Sequence, residues 1–239
     1  DKRKKRWYIT CMIDIGWTYV KDKPELEAVE NLFFKPQKLS EIYNGNTSMF
    51  RRCPANTSFL KSLWVIKSPV DITIKYSRDR HEYDITGVTS NFVDTFFDGR
   101  LKDFDREKGN PLISLMYSYL FVADEPVWIE TYPAFLHGEI ENTRFVNGGF
   151  NIFNWQRPVD FSFEIRDSNK PVVIKREQPL FYVKFIGNKF DENFNLKRIQ
   201  WDSDLNKIMR SCQPQNFIQG LGWKLMQLGN KIRPKKLVK

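Results

Sequence analysis

Short segments in which apolar and polar residues alternate recur along most of this chain. Residues 70–76 and 159–165 follow this period of two without interruption, as expected for strands that bury one face. Similar segments, separated by turn residues, follow one another roughly every 8 to 15 residues, a spacing typical of sandwiches and jelly rolls. The pattern therefore predicts a mainly β, single-domain β-sandwich or jelly roll, with its β core over about residues 60–186.

Helical signals lie on either side of this β core. Pro24 begins a stretch with apolar residues at helical spacing, which predicts a short N-terminal helix. Asp202 and Ser203 are typical N-cap residues, and they predict the start of a C-terminal helical segment over about 202–230. We expect this segment to pack on the β core, so that residues 1–239 form one domain.

Four other segments carry their own local predictions. Residues 7–15 alternate and predict a first strand, whereas residues 44–58 are rich in Asn, Thr and Ser and predict a loop. The apolar run over 112–123 predicts a strand that is buried on both faces. Gly148 and Gly149 predict a bulge or a close backbone approach.

The positive charge lies at the two ends of the chain. The formal net charge is +9 and the pI is about 9.4, yet residues 1–6 and 231–239 together carry the whole excess. Such ends are expected to fray and to aid solubility. They could also make weak, non-specific contacts with nucleic acid.

Cysteine use and hydropathy bear on the compartment. The three cysteines, Cys11, Cys53 and Cys212, are odd in number and widely spaced, so no disulfide framework is indicated. The longest apolar run, from Pro111 to Ala123, is too short to span a bilayer. With no signal peptide visible, we expect a cytoplasmic protein without a transmembrane segment, or a virion-associated one if the source is viral.

The two histidines restrict any metal site to one arrangement. His137 and Glu139 have the His-x-acid spacing that places two ligands on one side of a strand, and His81 would complete a set of two imidazoles and one carboxylate. Such a site would suit Fe(II) or Zn. The alternative is that His81 is exposed in a polar turn and that His137 lies near a strand end.

Aromatic side chains in the middle of the chain are the candidate binding residues. Trp128 and Tyr132 fall in one predicted strand, while Trp155 and Arg157 fall in a connection between two strands. Exposed rings of this kind stack on sugars or bases. The alternative is that they pack in the core.

Motifs for other chemistry are missing from the sequence. It contains no Gly-x-Ser-x-Gly elbow, no Walker-type loop and no GxGxxG. We therefore expect no cofactor, the alternative being the Fe(II) or Zn site described above.

Three stretches resemble an uncharacterised family of phage and bacterial β-sandwich proteins. They are Arg52-Cys53-Pro54, the segment Phe150-Asn151-Ile152-Phe153-Asn154-Trp155-Gln156-Arg157-Pro158, and Glu177-Gln178-Pro179-Leu180-Phe181 followed by Tyr182-Val183-Lys184-Phe185. The resemblance spans about residues 50–186. It implies a jelly-roll-like fold and a viral or marine-microbial source, and it supplies no catalytic residues.

These observations favour a non-enzymatic, phage-type binding or structural module. Its partner is expected to be a protein or a glycan, and it is expected to form a homo-oligomer. The alternative is a cupin-like or Fe(II)-dependent metalloenzyme that uses two histidines and one carboxylate.

Overall fold

The computed structural model describes residues 12–42, 53–98, 111–188, 192–212, 230–231 and 233–238. The strands are β1 (Met12–Tyr19), β2 (Gln37–Lys38), β3 (Leu63–Lys67), β4 (Ile72–Ser77), β5 (Glu82–Thr86), β6 (Phe97–Asp98), β7 (Leu112–Ala123), β8 (Trp128–Pro133), β9 (Thr143–Phe145), β10 (Gly149–Asn151), β11 (Pro158–Ile165), β12 (Val172–Ile174), β13 (Pro179–Ile186) and β14 (Asn193–Arg198). The helices are α1 (Pro24–Ala28), a 3-10 helix (Glu30–Leu32), α2 (Leu39–Ile42), α3 (Pro54–Lys61), α4 (Ser90–Phe96) and α5 (Ser203–Cys212). The mainly β prediction and the short N-terminal helix are confirmed.

The strands form three sheets within these described residues. The first sheet has the order β14-β1-β7-β11-β9, and β6 also pairs with β7. The second sheet has the order β10-β8-β13-β3-β2, and the third, smaller sheet has the order β12-β4-β5. Neighbours pair antiparallel, except that β1 and β14 run parallel, with Met12 opposite Asn193.

The core of the sandwich lies between the first and second sheets. Phe121 of β7 meets Phe185 of β13 with ring centroids 5.5 Å apart, and Phe161 of β11 stacks on Phe181 of β13 at 5.9 Å. Inward-facing residues of the third sheet, such as Ile74, join the same hydrophobic cluster. Burial of this apolar surface is the main term that stabilises the sandwich.

Helices cover part of the outer face of each large sheet. α5 packs Leu205, Ile208 and Met209 onto Leu120 and Val122 of the first sheet. β7 is therefore buried on both faces, as the apolar run over 112–123 predicts. On the second sheet, α2 and α3 bury residues such as Leu39 and Leu60 against β3 and β13.

Two local signals predict features that the structure shows. The carboxylate of Asp202 accepts the Leu205 N–H at 2.9 Å, which confirms it as a cap of α5. A Cβ atom on Gly149 would lie 3.1 Å from the Ile129 carbonyl oxygen, so the predicted close backbone approach is also confirmed.

Two local predictions need correction. α3 begins at Pro54, inside the segment predicted as a loop, because Leu60 is buried against the second sheet. β1 continues to Tyr19, beyond the predicted end at Ile15, because Trp17 and Tyr19 also face the core. Residues 7–11 of the predicted strand, Cys11 included, and the predicted helix after residue 212 lie outside the described residues.

The C-terminal segment, residues 233–238, is not frayed, and that prediction is wrong. Leu237 and Val238 are buried in the cluster around α5. The Arg233 side chain is only 5% exposed and lies 3.5 Å from the Asp124 carboxylate. Lys235 and Lys236 remain exposed, so part of the C-terminal positive charge lies on the folded surface.

None of the helices in the described ranges combines the length and the apolar character needed to cross a bilayer.

Candidate functional site

The three candidate metal ligands have separate partners. His81 lies in the turn between β4 and β5, where its Nδ1 is 3.2 Å from the Tyr76 hydroxyl. Glu139 lies in the connection between β8 and β9 and pairs with Arg166 at 3.6 Å. His137 lies in the same connection, with its Nδ1 2.6 Å from the Tyr182 hydroxyl.

These contacts do not bring the three side chains together. Among the residues that the structure describes, which include all three candidates, no group of His, Cys, Asp or Glu side chains could hold a metal ion. His81 and Glu139 instead support neighbouring polar side chains, and His137 supports Tyr182 on the second sheet. The Fe(II) or Zn site therefore stays a prediction without geometric support.

The surroundings of His137 disfavour its charged form. Its Nδ1 lies 2.6 Å from the Tyr182 hydroxyl, whose oxygen also accepts the Leu136 N–H at 3.2 Å. Partial burial, and then the nearby Lys67 ammonium, lower the pKa of His137 below its ordinary value of 6.5.

Trp155 and Arg157 lie in the connection between β10 and β11, where both contact other parts of the chain. The Trp155 indole N–H donates to the Cys212 carbonyl at 3.3 Å. The Arg157 guanidinium lies 5.1 Å from the Trp155 ring centroid and 3.4 Å from the Asp160 carboxylate. Trp155 therefore holds the end of α5, and Arg157 packs on Trp155.

Trp128 and Tyr132, in contrast, lie on the outer face of the second sheet. Side chains alternate along β8, so that Ile129 faces the core whereas Trp128, Glu130 and Tyr132 face outward. Trp128 is 51% exposed. The structure therefore divides the four predicted binding residues into two pairs and leaves only this pair on an open sheet face.

Other aromatic side chains extend this surface. Phe59 of α3 meets Tyr132 with ring centroids 5.7 Å apart, and Phe135 meets Tyr182 of β13 at 5.2 Å. Phe135 is itself 39% exposed. We call the surface formed by Phe59, Trp128, Tyr132 and Phe135 the aromatic face, and Tyr182 lies buried beneath it.

Two opposite charges lie in the middle of the aromatic face. Glu130 of β8 and Lys184 of β13 are direct cross-strand neighbours in the register of the second sheet. The Tyr132 hydroxyl donates to the Glu130 carboxylate at 2.5 Å. Burial, and then this contact with a negative charge, raise the pKa of Tyr132 to about 12, so Tyr132 remains a neutral donor.

Sequence reasoning finds only part of this surface. The alternation of Trp128, Glu130 and Tyr132 indicates a shared face, and Lys184 alternates in the same way along β13. Their proximity depends on the strand register, and Phe135 reaches the face from a loop, which no periodicity predicts. No protein-family model matches the chain, and no curated protein matches it either.

Proposed function

We propose that this protein is a non-enzymatic interaction module that associates with a second copy of itself through the aromatic face. The observation that carries the proposal is the exposure of two large anchors, Trp128 at 51% and Phe135 at 39%. Trp128 lies on β8 of the second sheet, and Phe135 lies in the turn that follows this strand. Exposed aromatic side chains grouped on one face are typical of protein–protein interaction sites.

The geometry of the face suits a protein partner. Trp128 and Tyr132 lie about 13 Å apart along β8, at roughly 3.3 Å per residue. Phe59 and Phe135 add rings beside Tyr132. Tyrosine and tryptophan contribute large contact areas at a low cost in side-chain entropy, which favours them as the central residues of an interface.

The charges favour a second copy over an unrelated partner. Glu130 and Lys184 lie side by side on neighbouring strands, so the face carries one positive and one negative group. A two-fold axis through such a pair places Glu130 of one protomer against Lys184 of its partner, and the reverse contact forms at the same time. Isologous interfaces require this self-complementarity.

The experiment is sedimentation velocity over a range of protein concentrations. We expect the wild-type protein to form a dimer, and we expect Trp128→Ala to weaken it at least tenfold. Glu130→Lys and Lys184→Glu should each be monomeric, because each places like charges opposite one another. Lys207→Glu changes an exposed charge on α5, on the outer side of the first sheet, and serves as the matched control.

An equimolar mixture of the Glu130→Lys and Lys184→Glu proteins is the decisive sample. In a mixed dimer every facing pair has opposite charges, so the mixture should associate although each protein alone does not. A wild-type protein that stays monomeric throughout, or a mixture that stays monomeric, would overturn the proposal. Far-UV circular dichroism checks that each variant is folded.

A further inference from the structure

An open cleft lies at one end of the third sheet, away from the residues of the aromatic face. Its first wall is Tyr76–Asp79, where β4 leads into the turn before β5, and its second wall is Arg166–Asn169, in the connection from β11 to β12. The volume of the cleft is about 500 Å³, which is within the range of small-ligand sites. We call it the polar cleft.

The second wall of the polar cleft is held by one side chain, Asn142. Its amide nitrogen donates to the carbonyl groups of Asp167 and Lys170, each at 2.8 Å. Its amide oxygen accepts the Asp167 N–H at 2.8 Å. Asn142 adopts a left-handed φ of 62°, and Asn tolerates this conformation better than most residues do. The turn is therefore fixed before any ligand arrives.

The first wall is held by Tyr76 and His81. The Tyr76 ring packs on Tyr83 with centroids 4.9 Å apart, and its hydroxyl meets His81 Nδ1. His81 has a φ of 51°, again in the left-handed region. Non-glycine residues in this region are uncommon, and they cluster where the backbone positions a binding group.

The side chains at the cleft carry both signs of charge, and they include both hydrogen-bond donors and hydrogen-bond acceptors. Arg78 and Arg166 supply donors only, while Asp79 and Asp167 supply acceptors only. Ser77 and Ser168 add hydroxyl groups that can do either. Arg166 also pairs with Glu139 at 3.6 Å, and Asp167 pairs with Lys170 at 3.9 Å. Positive and negative side chains are therefore equal in number at the cleft when these partners are included, so it does not select an anion or a cation.

We propose that the polar cleft binds a neutral carbohydrate. Neighbouring hydroxyl groups on a sugar ring each donate and accept, so one ring can satisfy a guanidinium and a carboxylate at the same time. The site goes beyond the self-association proposed above, since it shares no residue with the aromatic face.

The test is an array of immobilised neutral oligosaccharides, built from hexoses and N-acetylhexosamines, probed with the full chain. Sialylated and sulfated oligosaccharides on the same array report on a preference for anions. We expect binding to neutral members, and we expect Asp79→Ala and Asn169→Ala each to lower the affinity at least tenfold. Asp84→Ala removes an exposed carboxylate of β5 that does not line the cleft, and it should leave binding unchanged.

Three outcomes would overturn the proposal: no binding to any neutral oligosaccharide at millimolar concentration, binding to anionic members alone, or full binding by Asp79→Ala. Both altered cleft residues are exposed at the turns, and the melting temperature of each variant shows whether it is folded. Trp128→Ala, as a monomer, should bind the array with lower avidity than the wild-type dimer. In a titration with a monovalent sugar, where avidity does not contribute, the two proteins should bind equally well. Failure of the cleft and failure of the aromatic face are thus distinguishable.

Discussion

At the scale of single residues, Asp124 holds the C-terminal segment against the turn between β7 and β8. Its two carboxylate oxygens accept the N–H groups of Leu237 and Val238 at 2.7 and 3.1 Å. The same carboxylate faces the Arg233 guanidinium, which also donates to the carbonyl groups of Ala123 and Phe153. Hydrogen bonds to a charged acceptor are among the stronger ones in proteins.

Replacing this carboxylate should destabilise the protein. In Asp124→Ala two backbone donors and a buried guanidinium lose their negative partner, and we expect the free energy of unfolding to fall by about 2–3 kcal/mol. Urea denaturation measures the loss. Glu125→Ala, at the next and exposed position, should change stability by less than about 0.5 kcal/mol. Equal effects of the two substitutions would contradict the role given to Asp124.

His137 should make stability depend on pH below neutrality. Because the folded state lowers its pKa, the unfolded state binds a proton first as the pH falls through about 6.5. Stability contributed by the neutral imidazole is therefore present above pH 6.5 and is lost as the pH falls toward the lower folded value. The loss ends once both states are protonated.

The measurement is urea denaturation at pH 7.5 and pH 5.5. We expect His137→Gln to show a smaller difference between the two pH values than the wild type. His81→Gln removes the other histidine, whose exposed ring contacts Tyr76 on a turn, and serves as the comparison variant. An unchanged difference in His137→Gln would show that other groups cause the pH dependence.

At the scale of elements, α5 acts as a cover for the outer face of the first sheet. Its apolar residues recur at helical spacing, so that Leu205, Ile208, Met209 and Cys212 are all buried on one side. The opposite side is exposed and polar. The helix is short for one stable in isolation, so we infer that packing on β7 stabilises it.

A single substitution on each side of α5 tests this inference. Ile208→Ala removes a fully buried side chain and should lower the free energy of unfolding by about 3 kcal/mol. Lys207→Ala, one position earlier on the exposed side, should have almost no effect because alanine favours helices. Thermal or urea unfolding compares the two, and similar losses would mean that α5 is not packed as described.

At the scale of the whole molecule, one hydrophobic cluster contains residues from all three sheets. It joins Trp17 of the first sheet to Trp64 of the second and to Ile74 of the third. A core shared in this way links the sheets energetically, because exposing one sheet removes contacts from the others. The sandwich is therefore expected to unfold as one unit, although chains of this size often form intermediates.

Coincident unfolding curves would confirm this expectation. Tryptophan fluorescence reports on the core through Trp17 and Trp64, and far-UV circular dichroism reports on the strands. We expect both signals to give the same urea midpoint. Two separate transitions would show instead that the sandwich contains independently folding parts.

Much of the sandwich could be predicted because its central strands carry their own signal. The predicted strand over 112–123 coincides with β7, whose apolar run ends at turn residues, and the alternating segment 159–165 lies within β11. β14 has no comparable pattern, because only Phe194 is buried on it and its partner β1 lies at the other end of the chain. Pairing with a distant strand is a tertiary effect that periodicity does not report.

The candidate surfaces were predictable only in part, for a similar reason. Trp128 and Tyr132 share a face because they lie four positions apart on one strand. Arg166 and Asp79 line the same cleft because β12 pairs with β4, and no local pattern encodes that pairing. The metal-site prediction rests on the short spacing of His137 and Glu139, which does not specify where the third ligand lies.

The parallel pairing of β1 with β14 has a consequence for how the protein is made. About 180 residues separate the paired positions, and ribosomes add roughly 5–20 residues per second. β1 therefore emerges tens of seconds before its neighbour exists, and one of its edges stays unpaired for that interval. The unpaired edge is protected from pairing with other chains if β1 joins the sheet only after β14 has been made, or if a chaperone covers the edge.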